Sequence, residues 1–466
     1  MNSRIATDIG NIIGDKNIIV PNTDNNDFTI DRRQKRQSFP ALIASPDNTA
    51  DLSKLLAYCY KNKFRVVPQG GNTGLVGGTL AASNEIIIST RRLNKIRAIH
   101  KLDYSMIVES GCILADVQAQ ANRNDRFFPV SLGAEGSCTI GGIISTNAGG
   151  INVLRYGNTR QNIHGIEVVL ADGTIIHSLN RLGKDNTGYD LKQLFIGAEG
   201  TLGIVSAAAL KLSPAPLSTV SVLCGFSRIE QSLELLELAQ LYSSNQLTSF
   251  ELISSVAMDN TLKHTPSISR VIPACSWYAL CQFSTSSPVI DVSSLAENFL
   301  ETAADKQLIK DAVLSRSISQ ENGLWKIREA LVTAQRLEGE SIKHDIAVPI
   351  SKVPELVRTV DREVKKIMPS IRPYPFGHLG DGNIHYNFSQ PTDMDAITFR
   401  AKESAIHNVV YNIVDKLDGT ISAEHGIGTD KKALLAQYKS TADLDLMRAI
   451  RRVFDPHSQL QVGKLV

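Results

Sequence analysis

Residues 68–78, PQGGNTGLVGG, place five glycines directly after a short β-branched run. Glycine reaches backbone conformations with positive φ and lets a ligand approach the backbone closely, so successive N–H groups can form a concave anion site. Taken alone, the stretch is equally consistent with a flexible surface loop. Other glycine-rich stretches of the chain help to choose between these two interpretations.

Two further stretches share this character. Residues 141–150, GGIISTNAGG, carry four glycines around small polar side chains, and residues 197–205, GAEGTLGIV, carry three. Three glycine-rich loops at strand ends predict a long, bent ligand with a diphosphate at its middle. None of them matches the dinucleotide-binding GxGxxG pattern or the P-loop GxxxxGK[ST], so neither of those binding modes is expected.

The composition is that of an ordinary globular protein. The net charge is +2, 42% of the residues are hydrophobic and 21% are charged. No basic stripe with interleaved aromatic residues occurs, so nucleic acid is not an expected partner. No apolar run approaches the roughly 20 residues that span a bilayer, and the N-terminus lacks the apolar region of a secretory signal. The six cysteines form no CxxC pair, and we expect reduced, buried thiols.

Periodicity divides the chain near residue 217. Upstream, residues 48–64 have apolar residues at helical spacing after an Asn/Thr cap, and residues 165–178 predict a hairpin with an Asp-Gly turn. The stretch PAPLS, residues 214–218, is typical of a linker. Downstream, helical patterns alternate with strand patterns, for example at 277–284. We predict a mixed α/β first part and an α+β second part with an antiparallel sheet.

Residues 377–387, GHLGDGNIHYN, place two histidines around a Gly-Asp-Gly turn. The glycines disfavour a helix, so a turn that enters a strand is predicted. Asn383, His385 and Asn387 then share one face of that strand, and apolar residues occupy the other. With His378, this polar face could line a metal-binding cavity. The alternative is a pair of hydrogen-bonded histidines on a structured turn.

A third ligand for such a site is offered by residues 421–432, ISAEHGIGTDKK, in which Glu424 stands beside His425. A catalytic zinc typically keeps three protein ligands and one exchangeable position. Arg328 lies in a helical pattern and Lys343 opens a strand pattern, and both are candidate partners for an anionic substrate. The commonest alternative for either of these two is an ordinary surface residue.

Four stretches, residues 66–78, 133–150, 155–173 and 194–205, resemble the FAD-binding domain of the vanillyl-alcohol oxidase and p-cresol methylhydroxylase (PCMH) superfamily. The C-terminal motifs resemble its FAD-dependent D-2-hydroxyacid dehydrogenase branch, which includes D-2-hydroxyglutarate and D-lactate dehydrogenases. The match runs from about residue 20 to the end of the chain.

The resemblance implies an α+β fold in three parts. An N-terminal segment, residues 1–36, precedes a two-lobed PCMH-type FAD-binding domain, residues 37–216. An FAD-linked oxidase C-terminal domain follows at 217–466. It comprises an α+β substrate (cap) domain with an antiparallel sheet and a C-terminal helical segment.

The resemblance also implies FAD as cofactor. Some superfamily members attach it through a His or Cys in the first loop, which has neither residue here, so noncovalent binding is expected. The first loop would hold the diphosphate, the second the flavin and ribityl chain, and the third the adenine side or ring edge. The implied cofactor-binding residues are Pro68, Gly70, Gly71, Asn72, Thr73, Gly74, Gly77, Gly78, Ser137, Gly141, Gly142, Asn147, Gly149, Gly203, Ile204 and Val205.

In the same way, GHLGDGNIHYN resembles the metal motif of the family. The implied metal ligands are His378, His385 and Glu424, with zinc as the expected ion, His425 is the implied catalytic base, and the implied substrate-binding residues are Arg328, Lys343 and Asn387. Asp381 is expected to fix the turn. Val332 departs from the pattern, because hydroxyglutarate-specific members carry a hydroxyl residue at this position.

The implied reaction is the metal-assisted oxidation of a D-2-hydroxyacid, of the D-2-hydroxyglutarate or D-lactate class, to the 2-oxoacid with hydride transfer to flavin N5. An electron-transfer flavoprotein or a quinone is the expected acceptor. Two alternatives from the superfamily are the flavin subunit of a glycolate oxidase complex and a flavin-dependent transferase without net redox. We expect a homodimer in the cytoplasm, or in mitochondria if the source is eukaryotic.

Overall fold

The computed structural model describes residues 2–21, 26–34 and 36–466, so parts of the predicted segment 1–36 lie outside it. The chain forms two compact units: the first is Met1–Gly149, Gly157–Ala215 and Glu424–Val466, and the second is Gly150–Tyr156 and Pro216–Ala423. The chain passes from the first unit to the second between Ala215 and Pro216, beside the expected boundary at 217. Residues 424–466 belong to the first unit by their contacts, and their assignment to one family domain with residues 217–423 stays a prediction.

The first unit contains a mixed four-stranded sheet. Its strands, in spatial order, are Ile18–Ile19, Leu42–Ala44, Glu85–Ser89 and Arg65–Gln69. The last three run parallel, and all five residues of EIIIS are buried. Continuous apolar runs of this kind are typical of parallel strands that are covered on both faces.

An antiparallel five-stranded sheet accompanies it. In spatial order its strands are Ile96–His100, Ser105–Glu109, Ile204–Lys211, Ile163–Val169 and Ile175–Ser178, and a separate pair joins Arg126–Phe127 to Ser213–Pro214. The last two strands of this sheet form the predicted hairpin around Asp172 and Gly173. The hairpin prediction is therefore confirmed.

Helices cover these sheets. Those of the first unit are Asn2–Ile13, Asn26–Thr29, Thr49–Lys61, Leu114–Asn122, Ile140–Thr146, Lys192–Phe195, Lys432–Tyr438 and Thr441–Phe454. The predicted helix begins after Asn48, whose side chain accepts from the N–H of Asp51, and it buries Leu52, Leu55, Leu56 and Cys59 at helical spacing.

The sequence predicts a loop for the second glycine-rich stretch, but part of this stretch is a helix. Residues Ile140–Thr146 form a helix that begins after Thr139 and ends at Asn147, where φ is +49°. Two consecutive glycines lower helix propensity, but four residues of this helix are buried, so packing outweighs propensity here.

The second unit is built on one antiparallel sheet, as predicted. In spatial order its strands are Asp311–Leu314, Ser218–Phe226, Trp277–Thr285, Leu247–Ser254, Arg372–His378 and Asn383–Ser389, and the last of these also pairs with Ser341–Ile342 and Ile346–Ala347. The helices of this unit are Val153–Tyr156, Gln231–Tyr242, Ser255–His264, Val292–Asp305, Ile318–Leu337, Val353–Ile367, Ala396–Arg400 and Glu403–Lys416.

All six cysteines are free thiols, and five of them are buried. Among the described residues, no helix combines the length and the apolar character needed to cross a bilayer.

Candidate functional site

The loop that follows strand Arg65–Gln69 is polarised. Six of its carbonyl oxygens accept hydrogen bonds from other parts of the first unit: those of Gly70, Val76, Gly77, Gly78, Thr79 and Leu80. By contrast, no N–H group of residues 71–79 donates to another described residue. These groups can therefore donate to water or to a ligand, and rows of N–H groups of this kind can bind anions.

The glycines of this loop fall into two classes. A Cβ atom at Gly70 would lie 2.2 Å from Oγ1 of Thr139, and one at Gly71 would lie 2.0 Å from the carbonyl oxygen of Ser137. A Cβ atom at Gly74 would meet nothing within 4 Å, although Gly74 lines a pocket. The fold itself therefore requires glycine at 70 and 71, whereas at position 74 only a ligand would require it.

The pocket beside this loop has about 690 Å³ of empty space, part of it open to solvent. Ten of the predicted site residues line it: Pro68, Gly70, Gly74, Gly78, Gly141, Gly142, Gly203, Ile204, Val205 and His425. All three glycine-rich stretches therefore meet at one pocket of the first unit.

Seven predicted cofactor-binding residues do not line this pocket: Gly71, Asn72, Thr73, Gly77, Ser137, Asn147 and Gly149. Two of them have structural roles. Asn72, with φ at +57°, donates from Nδ2 to the carbonyl of Ile30 at 2.8 Å, and Asn147 accepts from the N–H of Arg160 at 3.0 Å. Their contact with FAD stays a prediction.

Nine lining residues were not predicted: Gln69, Val76, Thr79, Thr90, Ser145, Thr146, Glu199, Gly200 and Gln461. Most of these lie within or beside the glycine-rich stretches, where spacing had drawn attention to the glycines. Gln461 donates to the carbonyl of Gly78 at 3.1 Å across a sequence separation of 383 residues, and nothing in its local sequence marks it.

The segment that carries His425 is held by a carboxylate of the same unit. Oε1 and Oε2 of Glu199 accept from the N–H groups of Ile427 and Gly428, both at 2.7 Å. Gly426 and Gly428 have φ of +81° and +52°, so the chain bends directly after His425. Burial raises the pKa of Glu199, and the hydrogen bonds from the N–H groups of Ile427 and Gly428 partly offset this rise.

In the second unit, Glu251 joins two of the predicted residues in a buried network. Its Oε1 accepts from Nδ1 of His378 and its Oε2 from Nε of Arg328, both at 2.5 Å. The Arg328 guanidinium also lies 5.0 Å from the centre of the Phe376 ring. Burial alone would raise the pKa of Glu251, but the charges and hydrogen bonds of Arg328 and His378 outweigh it and hold the pKa at about 2.

Sequence reasoning missed Glu251. The stretch SFELIS, residues 249–254, has the pattern of a strand, and only the structure shows that Glu251 is a charged residue within a fully buried strand. In the sheet register Glu251 faces His378 directly, a pairing that depends on the fold and not on local sequence.

The turn after His378 is formed as predicted. The Oδ1 atom of Asp381 accepts from the N–H of Asn383 at 3.0 Å, so Asp381 fixes the turn. The rings of His378 and His385 lie with their centres 5.6 Å apart. Nδ1 of His385 is 3.9 Å from Oδ1 of Asp345, a buried carboxylate that the sequence did not single out.

The two faces of strand Asn383–Ser389 are both covered. Nδ2 of Asn387 donates to Oε1 of Gln335 at 3.0 Å, and its Oδ1 accepts from the N–H of His344 at 3.1 Å. Asn387 therefore has a structural role in this unit, and its contact with substrate stays a prediction. Lys343 lies between the short strands Ser341–Ile342 and Ile346–Ala347 and opens neither of them.

Each unit by itself brings metal-type donors together. In the second unit they are His385 and Asp345, with His378 bonded to Glu251 in the way that metal-binding histidines are commonly bonded to a carboxylate. In the first unit, Nε2 of His425 is 3.9 Å from Oε1 of Glu424. Imidazole and carboxylate are ligands that zinc accepts, so the donor chemistry fits a divalent metal.

Comparison with known families agrees with this arrangement. A model described as FAD binding domain matches residues 40–178, and one described as FAD linked oxidases, C-terminal domain, matches residues 215–465. The chain is 36% identical to the mitochondrial D-2-hydroxyglutarate dehydrogenase of Danio rerio over 424 residues, which cover 91% of this chain and 78% of that protein. It is 34% identical to the D-2-hydroxyglutarate dehydrogenase of Stutzerimonas stutzeri (strain A1501), with 91% of each protein covered.

Solved structures show the same fold at low identity. A p-cresol methylhydroxylase with substrate bound aligns with a TM-score of 0.77 at 16% identity, covering 99% of this chain and 96% of that one. An alkyldihydroxyacetonephosphate synthase aligns with a TM-score of 0.73 at 13% identity, covering 98% and 84%. At such identities the likeness shows the fold alone, and it confirms the predicted PCMH-type class.

Proposed function

The chain belongs to the family of FAD-linked oxidases that includes the D-2-hydroxyglutarate dehydrogenases, and we propose that it oxidises D-2-hydroxyglutarate to the 2-oxoacid with FAD as its noncovalent cofactor. The observation that carries the proposal is the polarised loop at residues 70–80, in which six carbonyl oxygens are paired within the first unit and the N–H groups of residues 71–79 can donate to an anion. The names of the relatives support the substrate.

The proposed substrate-binding residues are Arg328, Lys343 and Asn387. Arg328 is supported most strongly, because it is only 9% exposed and, among the described residues, makes its one hydrogen bond through Nε. Its two terminal nitrogens are suited to the two oxygens of a carboxylate. Val332, on the same helix and 44% exposed, argues against hydroxyglutarate and keeps D-lactate as a second substrate to be tested.

The proposed metal ligands are His378, His385 and Glu424, with zinc as the ion. The hydrogen bond of His378 to Glu251 supports its assignment, since it fixes the orientation of the ring. When bound, the flavin accepts the hydride from C2 and the metal lowers the pKa of the substrate hydroxyl.

We assign His425 the role of general base. It lines the pocket where the glycine-rich stretches meet, and its segment is held by Glu199. An imidazole is suited to accept the hydroxyl proton near neutral pH. Arg328 and Lys343 would hold the carboxylate of the acid and so restrict its orientation.

The acceptor and the assembly follow the family. We propose an electron-transfer flavoprotein or a quinone as acceptor and a homodimer as the assembly. Eukaryotic relatives are named as mitochondrial and bacterial ones are found as well, so location would follow the source.

Anaerobic bleaching of the bound flavin tests the function. The purified protein is expected to be yellow and to bleach with D-2-hydroxyglutarate faster than with D-lactate, D-malate or glycolate. Fastest bleaching by D-lactate or by glycolate would replace the proposed substrate. Unchanged colour with every acid would favour the transferase alternative.

A further inference from the structure

The last residues of the chain are attached to the strand that leads into the first glycine-rich loop. The N–H of Val66 donates to the carbonyl of Gln459, and the N–H of Gln461 donates to the carbonyl of Val66, both at 2.9 Å. Val66 and Leu460 thereby form an isolated parallel bridge within the first unit. The C-terminal segment, residues 459–466, is therefore built into this part of the sheet.

Lys464 reaches from this segment to the loop. Its Nζ atom donates to the carbonyls of Gly78 and Leu80 at 2.9 and 2.7 Å, and to Oε1 of Gln461 at 2.8 Å. The residue is only 5% exposed. All three ammonium protons are thus used, and each acceptor is an uncharged oxygen.

A buried arginine holds Lys464 in place. Nη1 of Arg451 donates to the carbonyl of Lys464 at 3.0 Å, and its Nη2 donates to the carbonyls of Leu460 and Gln461 at 2.6 and 3.0 Å. The position of the ammonium group is therefore set by the fold and does not need a ligand.

We propose that Lys464 is a positioning residue for the cofactor: it holds the carbonyls of Gly78 and Leu80 away from the pocket and so keeps the loop N–H groups directed toward the FAD diphosphate. The inference rests on the proposed function, because it assumes that FAD is the ligand of this loop. A neutral amine has only two protons and would release one of its three acceptors. The charge of the ammonium also favours an anion at the loop.

The same geometry makes FAD affinity depend on pH. The charged groups near Lys464 are Glu85 and Glu199, which favour its protonation, and Arg451, which opposes it. Burial is the largest effect, and it lowers the pKa of Lys464 to about 8. Bound anion would raise this pKa, so binding takes up a proton, and affinity falls as the pH rises through about 8.

Titration of apo protein with FAD, followed by flavin fluorescence between pH 7 and 9.5, tests the inference. For the parent, Kd is expected to rise up to about tenfold per pH unit above pH 8, the limit for one linked proton. Lys464→Met is expected to bind at least tenfold more weakly at pH 7 and to lose the pH dependence. Lys439→Met, which removes an exposed lysine of the same unit, should behave as the parent does.

A second measurement does not depend on the folding of a variant. Calorimetric titration of the parent with FAD in two buffers of different ionisation enthalpy should show proton uptake at pH 8.5 and none at pH 6.5. Thiols do not interfere, since burial raises the pKa of Cys112 to about 11 and of Cys138 to about 12. Two outcomes would overturn this inference and leave the proposed function standing. One is tight FAD binding by the parent without proton uptake, and the other is a Lys464→Met variant whose FAD affinity has the same pH dependence as that of the parent. A parent that binds no FAD would overturn the proposed function as well.

Discussion

Gly74 is the residue at which the needs of the fold and the needs of a ligand can be separated. A Cβ at this position has open space around it in the protein, and Gly74 lines the pocket. We therefore expect Gly74→Val to fold normally and to lose FAD. Flavin absorbance after purification and circular dichroism of the same sample measure the two properties.

Gly183→Val is the matched control for this substitution. Gly183 is exposed in the same unit, and a Cβ atom at this position would also meet nothing within 4 Å. This variant should keep its colour. Full flavin loading in Gly74→Val would show that this loop is not part of the cofactor site.

His425→Asn should slow flavin reduction by roughly 100- to 10,000-fold while substrate binding changes little, because a general base acts on the proton as the transition state forms. Rapid mixing under anaerobic conditions separates the two effects. Glu424→Gln should instead lower the metal content measured by elemental analysis, and His457→Asn, an exposed histidine of the same unit, serves as control. Reduction at the parent rate in His425→Asn would mean that the base lies elsewhere.

Arg328→Lys should lower kcat/KM for the acid about 10- to 150-fold, because a charged hydrogen bond contributes about 1.5–3 kcal/mol and lysine cannot bind a carboxylate through two nitrogens. The effect should fall mainly on KM. Arg336→Lys on the exposed side of the same helix is the control. Loss of metal with unchanged KM would show instead that Arg328 acts through Glu251 on His378.

Single residues could be predicted where local spacing carries the chemistry. Gly74 and His378 lie in short stretches whose composition is unusual by itself. Glu251 and Lys464 could not be found in this way, because their partners are supplied by strand register and by chain segments far apart in sequence. Asn72 was found for its position in the loop, yet its side chain ties the loop to the carbonyl of Ile30.

Among the elements, the segment that follows His425 has two adjacent N–H groups that are held by one side chain. Glu199→Ala removes both acceptors of the N–H groups of Ile427 and Gly428, each charge-assisted bond contributing about 1.5–3 kcal/mol. We expect slower flavin reduction at saturating substrate, by at least about tenfold, since the base is no longer held. Stopped-flow reduction measures it.

Glu199→Gln is the matched variant because it keeps one acceptor oxygen. It should recover part of the lost rate. If Glu199→Ala reduced its flavin as fast as the parent, then the segment would be positioned by other contacts.

Elements with strong periodicity were predictable and those decided by packing were not. Helix Thr49–Lys61 has a capping Asn48 and apolar residues at helical spacing, so pattern and structure agree. The sequence predicts a loop at Ile140–Thr146, because Gly141 and Gly142 oppose helix formation in isolation, and the structure has a helix there. Burial of this helix against the five-stranded sheet outweighs the low helix propensity of its glycines, and the local sequence does not indicate this burial.

At the scale of the molecule, the first unit is assembled from three separate parts of the chain. A protein that ends at Ala423 would lack His425, Gln461 and Lys464, and we expect it to take up no FAD. Flavin absorbance of the purified fragment checks this. Addition of the missing part, residues 424–466, as a separate peptide should restore colour, and a yellow fragment without the peptide would contradict the expectation.

The boundary near residue 217 could be anticipated because a proline-rich linker marks it. The return of residues 424–466 to the first unit could not, because these residues form ordinary helices and turns with no compositional break before Glu424. Their membership is set by contacts such as those of Gln461 and Lys464 with Gly78, which exist only in the folded unit.

This arrangement has a consequence for synthesis of the protein on the ribosome. The second unit has all of its segments once residue 423 has emerged, whereas the first, which begins the chain, still lacks its final strand pairing with Val66. Domains generally fold as units during translation. The unit that is translated first therefore completes its fold, and its FAD site, only when residues 424–466 are available, which is after every segment of the second unit has been made.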